Sequence, residues 1–255
     1  MSTWFGWGLR SPVVTTAAPR REEDAPGVTP GRPVPTRFAD ESEARAVAER
    51  CPTKALRPEG SAVEVELARC IHCGRCRPGD SGGANADPDA GADADSNVGV
   101  PGMEWRADYQ WARWTCEPRP LPREFRGSVH IRVVDAGDCG ACLNEVHQLF
   151  QPHYSIHRLG LFHTPTPRKA DILLVVGSGT AQMESPLLET FRAMPDPVRV
   201  VVAGACALGS AVLSPTFVSG DGVGRLLPVD VVVPGHPPPP MAILQGLLLA
   251  AGRGP

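Results

Sequence analysis

From Val129 onward, short apolar runs alternate with stretches whose apolar residues recur at helical intervals. The runs Val129–Val134, Ile156–Phe162, Ile172–Val176, Val198–Ala203 and Val229–Val233 are valine-rich and nearly unbroken. That is the pattern of strands buried on both faces. Between them, Cys142–Phe150, Met183–Met194, Cys206–Leu213 and Met241–Ala251 carry helical spacing. Strands alternating with helices predict an α/β domain over residues 127–255, a mostly parallel sheet covered on both faces. Ligands of such sheets gather beyond the carboxyl ends of the strands. Three polar, cysteine- or histidine-bearing turns fall there: Asp135–Cys142, Gly204–Cys206 and Pro234–Pro240.

Upstream the pattern loosens. Residues 1–36 are rich in proline, threonine and alanine and are expected to form an extended N-terminal segment. Residues 37–79 form a small cysteine-bearing unit, with Ser42–Arg50 a short helix leading into Cys51. Residues 80–126 are a linker and connecting segment, and 80–97 holds five aspartates, no basic residue and almost nothing apolar. Such a stretch buries too little surface to offset its ordering entropy, so disorder is expected. Its aspartates lack the spacing and the terminal glutamate of an EF-hand.

Composition narrows the chemistry. A net charge of −3 gives no support to nucleic-acid binding, and no apolar run reaches the length of a membrane span. Met1–Arg10 lacks the basic and apolar regions of a secretory signal, so a cytosolic compartment is expected. There, eight cysteines read as metal ligands or redox groups before disulfides.

The first group comprises Cys51-Pro52 and, further on, Cys70-Ile71-His72-Cys73-Gly74-Arg75-Cys76. Three cysteines at C-x2-C-x2-C wrap one corner of a cubane cluster, and a remote Cys-Pro supplies the fourth thiolate. Arg77-Pro78 stands where a second cluster would need another Cys-Pro. The set Cys51, Cys70, Cys73 and Cys76 therefore matches one [4Fe–4S] cluster and resembles bacterial-type ferredoxins over about 30 residues. Zinc and disulfides are the alternatives. Zinc prefers separated C-x2-C or Cys/His pairs, and His72 lies inside the motif where zinc spacing does not want it.

The second group lies on Asp135–Glu145 (D-x-G-x-C-x-x-C-x-x-E), Gly204-Ala205-Cys206-Ala207 and Pro228–Pro238 (P-V-D-V-x-V-P-G-x-P-P). With Arg158–Leu161, Pro167–Gly177 and Met194–Pro197, these blocks resemble, in order, the small iron–sulfur subunit of energy-converting [NiFe] hydrogenases and formate hydrogenlyases. That subunit is kin to the complex I B (20 kDa) subunit family. The resemblance implies a flavodoxin-like domain holding a second [4Fe–4S] cluster through Cys139, Cys142 and Cys206, with the fourth ligand expected where this chain has His236. Imidazole can replace a thiolate on iron, removing negative charge and raising the potential. The alternatives are a cluster held by three cysteines, or a lost cluster on a retained fold. Glu145 matches an acidic residue near the hydrogenase cluster, a candidate proton relay, against a solvated helix carboxylate. Cys116, in Trp111–Pro118, reads as a buried packing thiol. Trp7–Arg10 with Val14–Thr16 weakly resembles the opening of ferredoxin-like subunits of the same complexes, where it lies against neighbouring subunits. His147, His153, His157 and His163 read as surface or packing residues, and Gly177–Thr180 as a strand-to-helix turn lacking a phosphate-loop lysine.

The fold class expected is therefore α/β: a flavodoxin-like parallel sheet domain preceded by a small ferredoxin-like unit and a disordered acidic linker. The resemblance implies an electron-transfer subunit of an oxidoreductase complex, not catalytic alone. Its partners would be a hydrogenase-type large subunit and membrane subunits of a complex I-like assembly. The chain would sit in the cytoplasm, peripheral on the inner face of the membrane. A quinone-reducing relative of such a complex, or a scaffold keeping only the ferredoxin cluster, are the other readings.

Overall fold

The computed structural model of the protein describes residues 15–16, 31–35, 37–76, 103–106, 108–118, 121–209 and 216–253. The expected disorder of 80–97 and the resemblance at Trp7–Arg10 lie outside these residues.

The small unit is built on β1 (Arg32–Pro35), helix α1 (Glu41–Glu49), the hairpin β2 (Leu56–Glu59) and β3 (Ala62–Val65), and β4 (Met103–Arg106). Asp40 caps α1: its Oδ1 accepts from the Glu43 N–H at 2.9 Å, while Glu43 accepts from the Ala39 N–H at 3.1 Å. Two otherwise orphaned donors are thereby satisfied. Helix α1 buries Ala44, Val47 and Ala48 in a compact core with Phe38, Leu56, Val63 and Met103, and Cys51 and Cys76 pack against it. Strand β4 pairs antiparallel with β1 from Arg32↔Arg106 to Pro35↔Met103. This differs from the sequence reading, which left β1 in the lead-in and β4 in the connecting segment. Because β4 returns to β1, the acidic stretch interrupts the small unit and does not separate it from the large one.

The large unit begins with the two-residue β5 (Arg113–Trp114). It continues through β6 (Val129–Asp135), α2 (Ala141–Leu149), β7 (Leu161–His163), β8 (Ile172–Val176), α3 (Ala181–Arg192), β9 (Arg199–Ala203), β10 (Val231–Val233) and α4 (Pro240–Ala250). One six-stranded sheet has the order β5-β10-β9-β8-β6-β7. Strands β6 to β10 are parallel, and β5 joins the edge antiparallel to β10. Numbered by chain order, the parallel strands run 2-1-3-4-5, the flavodoxin-like winding. Alternate residues of β8 serve the two faces. Ile172, Leu174 and Val176 join a core with residues of α2 and α4, while Leu173 and Val175 join another with Leu187 of α3. All five are buried, which is why the run carries no polar alternation.

Two expected elements differ. Ile156–Phe162 is not one strand: Ile156–Leu159 forms a 3-10 turn between Ser155 (φ 44) and Gly160 (φ 68), and only Leu161–His163 is strand. Ile156 and Leu159 both join the core at a spacing of three, which is turn periodicity. Cys206–Gly209 is a turn, closed by Leu208 N–H on Gly204 O at 3.2 Å, and not the start of a helix. Gly209, at φ 81, ends it, and Ser210–Leu213 lie outside the described residues.

The units meet at residues 108–115. Asp108 receives both Nε and an Nη of Arg32, at 2.6 and 2.8 Å, and the Trp111 indole N–H at 3.1 Å. Trp111 is buried in the α2/α4 core, and the Ala112 N–H donates to Gln245 on α4 at 2.8 Å. A planar fork on a carboxylate that also holds a buried indole is a directional joint.

Candidate functional site

Cys51 follows directly on α1, and Cys70, Cys73 and Cys76 follow the 3-10 turn Leu67–Arg69. The structure brings all four together: they line one open pocket. Pro33 of β1 and Trp105 of β4 close one wall. The sequence reading missed both, because they belong to the strands it did not see. Backbone donors already face two sulfurs: the Ala55 N–H lies 3.2 Å from Cys51 Sγ, and the His72 N–H 3.4 Å from Cys70 Sγ. Burial, reinforced by the neighbouring thiols, pushes Cys70 up to about 11 and Cys76 to about 12.

The thiols line this space without converging on a point. Among the described residues, no three His, Cys, Asp or Glu side chains are grouped to hold a single metal ion. Tetrahedral zinc would draw its sulfurs to within about 4 Å of one another. An open four-thiol cavity with N–H donors on its sulfurs suits a multi-atom inorganic group better.

The second group lies at the carboxyl ends of β6, β9 and β10, where the strand order predicted a site. Asp135 ends β6 and accepts from the N–H groups of Gly137 (2.9 Å) and Asp138 (2.7 Å). Asp138 in turn accepts from Gly140 (3.1 Å) and Leu143 (3.0 Å). Gly140 takes φ 94 immediately before α2. This stack of turns fixes Cys139 on the surface and Cys142, 3 % exposed, in the first turn of α2. Cys206 lies in the turn after β9 and is 7 % exposed. The β9 and β10 turns are tied by Ala205 N–H on Gly235 O at 2.7 Å, which brings His236 Nδ1 to 3.8 Å from Cys206 Sγ. Burial pushes the Cys142 thiol up strongly, with Asp138, Cys206 and Cys139 adding to it, and Cys206 rises for the same kind of reason. Gly204 belongs to this site, although sequence reasoning gave it no role. A Cβ there would lie 2.6 Å from Cys142 Sγ, and its φ is 103.

The remaining candidates are less central. Glu145 lies on α2 one turn beyond Cys142, and burial raises its carboxyl above the ordinary value. Cys116 is exposed and not the buried packing thiol expected, because the chain leaves the sheet just after the short edge strand β5. Gly177–Thr180 is the strand-to-helix turn between β8 and α3.

Comparison with known proteins bears on the large unit. The pattern of the family described as NADH ubiquinone oxidoreductase, 20 Kd subunit, matches residues 139–250. A probable membrane-bound hydrogenase subunit, mbhJ of Pyrococcus furiosus, is 39% identical over 117 residues, covering 46% of this chain and 70% of that one. The chain belongs to this 20 kDa subunit family. Formate hydrogenlyase subunit 7 of Escherichia coli is 35% identical over 132 residues, 52% of each chain. NAD(P)H-quinone oxidoreductase subunit K 2 of Synechocystis sp. is 34% identical over 110 residues, 42% of this chain and 49% of that one. The chain thus spans about half the length of these last two relatives. Its relatives are subunits of hydrogenase, formate hydrogenlyase and quinone oxidoreductase assemblies, and the family match begins at Cys139, downstream of the first thiol group. No helix among the described residues is long and apolar enough to cross a membrane.

Proposed function

We propose that this chain is an electron-relay subunit holding two iron–sulfur clusters and working against a large catalytic subunit of a complex I-related, hydrogenase-type assembly. The observation that carries the reading is the cavity lined by Cys51, Cys70, Cys73 and Cys76, joined in one chain to a family domain with its own thiols at the strand ends. These four residues would hold a [4Fe–4S] cluster, and Cys139, Cys142, Cys206 and His236 a second. The chemistry such groups supply when bound is one-electron transfer. The chain's own part is to fix the thiols, to present N–H donors to their sulfurs, and to exclude water from Cys70, Cys142 and Cys206. Since burial favours the neutral thiols, loading releases protons and is favoured at higher pH. Glu145, partly buried beside the second site, is the candidate proton carrier. The exposed Cys139 is the edge of that site open to a large subunit, and attachment to a membrane would come through partner subunits.

A second reading rests on His236. An imidazole in place of a thiolate leaves the site less negative and more oxidising, which suits a quinone-reducing relative of the hydrogenases better than proton reduction.

Iron and acid-labile sulfide counts on the reconstituted chain, with electron paramagnetic resonance (EPR), test the proposal. Two clusters predict about eight irons and two signals per chain. About four irons with one signal, lost on Cys51→Ser, would leave a scaffold with a ferredoxin cluster alone.

A further inference from the structure

The first thiol site has a wall that the thiol loops do not supply. Strand β4 alternates as a half-buried strand should: Met103 is buried in the small core, while Glu104 and Arg106 are exposed and pair at 3.3 Å. Trp105 shares the inward face with Met103, and it lines the pocket of the four cysteines. Directly opposite Trp105 on β1 stands Pro33, which lines the same pocket and has no N–H to offer it. Ala55, Leu56 and Ile71 add further apolar lining. The indole edge lies hard against the backbone of Gly31, where a Cβ would stand 2.5 Å from Trp105 Nε1 and 2.7 Å from Cδ1. The carbonyl of Gly31 is also 2.7 Å from Nδ1 of His72, in the loop between Cys70 and Cys73. One residue thus touches both the wall and the thiol loop. The N–H donors on the sulfurs come from elsewhere, from Ala55 and His72. Cys73, by contrast, is exposed, so the site has an apolar wall and an open side.

We propose that Trp105 is the shielding residue of the first site: its ring keeps water from the group that the four cysteines would hold and so keeps the reduction potential there low. This rests on the reading of Cys51, Cys70, Cys73 and Cys76 as ligands of one cluster. A group on four thiolates is anionic, and it carries more negative charge after taking up an electron than before. Water stabilises the more highly charged form better than an apolar wall does. The indole therefore disfavours the reduced form, and removing the ring favours it. Backbone donors act the opposite way, since an N–H on a sulfur stabilises negative charge. The site thus sets the N–H groups of Ala55 and His72 against the ring of Trp105. A strand that follows the acidic stretch tunes thiols that precede it.

The test compares wild type, Trp105→Phe and Trp105→Val as full-length reconstituted chains in redox titrations followed by EPR. The first site is read from the signal lost on Cys51→Ser. Phenylalanine keeps a ring opposite Pro33; valine suits the strand but opens the wall. At a fixed potential, Trp105→Val is expected to move the reduced-to-oxidised ratio of the first site about tenfold toward the reduced form, about 59 mV for a one-electron couple. Trp105→Phe is expected to stay near the wild-type ratio, and the second signal to stay where it is in both. An unchanged ratio in Trp105→Val overturns the shield, as does a shift to the oxidised side. An equal shift of both signals, or a Trp105→Phe chain shifted as far as the valine one, overturns it too. If valine costs the first signal altogether, Trp105→Leu is titrated in its place, with the same shift expected and the same results overturning the shield. A wild-type chain with no signal that depends on Cys51 overturns the cluster reading and the shield with it.

Discussion

Replacing Gly204 by alanine should empty the second thiol site while leaving the first intact. Gly204 follows β9 at φ 103, and a Cβ there would lie 2.6 Å from Cys142 Sγ. Ordinary contact between such atoms begins near 3.5 Å, so the sulfur must retreat by about 1 Å. In the metal-free chain that is cheap, because a cysteine side chain turns about one bond. The remaining cost is the backbone, about 1–2 kcal/mol for a Cβ at positive φ, or a melting temperature lower by about 2–8 °C. With a cluster on Cys142, as proposed, the sulfur could not retreat, since metal–ligand distances tolerate only about 0.2 Å. Iron and sulfide counts should therefore fall from about eight to about four per chain, with the second EPR signal lost and the first unchanged. Gly246→Ala is the control. Its Cβ would meet Val233 Cγ2 at 2.4 Å, overpacking the core beneath α4 without touching a thiol. That costs about 1–3 kcal/mol, comparable or greater instability, and should retain both signals. A Gly204→Ala chain with eight irons and an unaltered second signal would refute the placement of Cys142 as a ligand.

Further outcomes follow from other contacts. Asp230→Ala removes the carboxylate partner of Arg199 from a pair that is 3.1 Å apart and almost wholly buried, leaving the guanidinium its contact with Trp114. It should cost about 3–5 kcal/mol, read as a melting temperature lower by about 6–20 °C; a change near zero would mean water reaches Arg199. Burial raises the Glu145 carboxyl above 4.5, so just above that pH the folded chain keeps a proton that the unfolded chain has released. Stability therefore falls as pH rises through that window, and Glu145→Gln should flatten this slope in denaturant titrations of the metal-free chain. His236→Cys should lower the potential of the second site and change its EPR signal, since a thiolate adds negative charge; an unchanged signal would mean the imidazole is not on the iron. Deleting residues 80–97 should leave both signals and their spin–spin splitting unaltered, and a lost splitting would show that this stretch sets the distance between the sites.

The legible parts of the sequence are those whose cause is local. Ile172–Val176 was read to the residue because all five side chains are buried, and burial on both faces writes an unbroken apolar run. The grouping of the thiols was legible because close spacing along a loop is itself the signal, and the strand order then brings Cys139, Cys142, Cys206 and His236 to the same edge. Ile156–Phe162 misled because apolar composition hides period, and a spacing of three under two left-handed residues makes a turn. Strand β1 was hidden by Pro33 and Pro35, which weaken any strand signal, and its partner β4 lies across the whole acidic segment. Gly204 and Trp111 were silent for a different reason. One matters for what a missing Cβ allows to approach, the other for a ring contact between distant loops, and no periodicity records either.

That pairing of β1 with β4 changes what the acidic stretch can do. A tether between two domains would let the thiol sites wander, and their exchange of electrons would depend on linker length. Here β1, which precedes the acidic residues, pairs with β4, which follows them, so both flanks of that stretch belong to one unit. The contacts with the large unit are made instead at residues 108–111. Over those few residues Arg32 grips Asp108, Asp108 holds the Trp111 indole, and Trp111 carries His72 on its face. Together these contacts tie β1 and the Cys70–Cys76 loop of the small unit to the core of the large one through Trp111. Five of the chain's acidic residues fall at 80–97, beyond the described residues, so its charge of −3 says little about the surfaces of the two units. Those surfaces are better judged from the exposed edge at Cys139, where the second site is open.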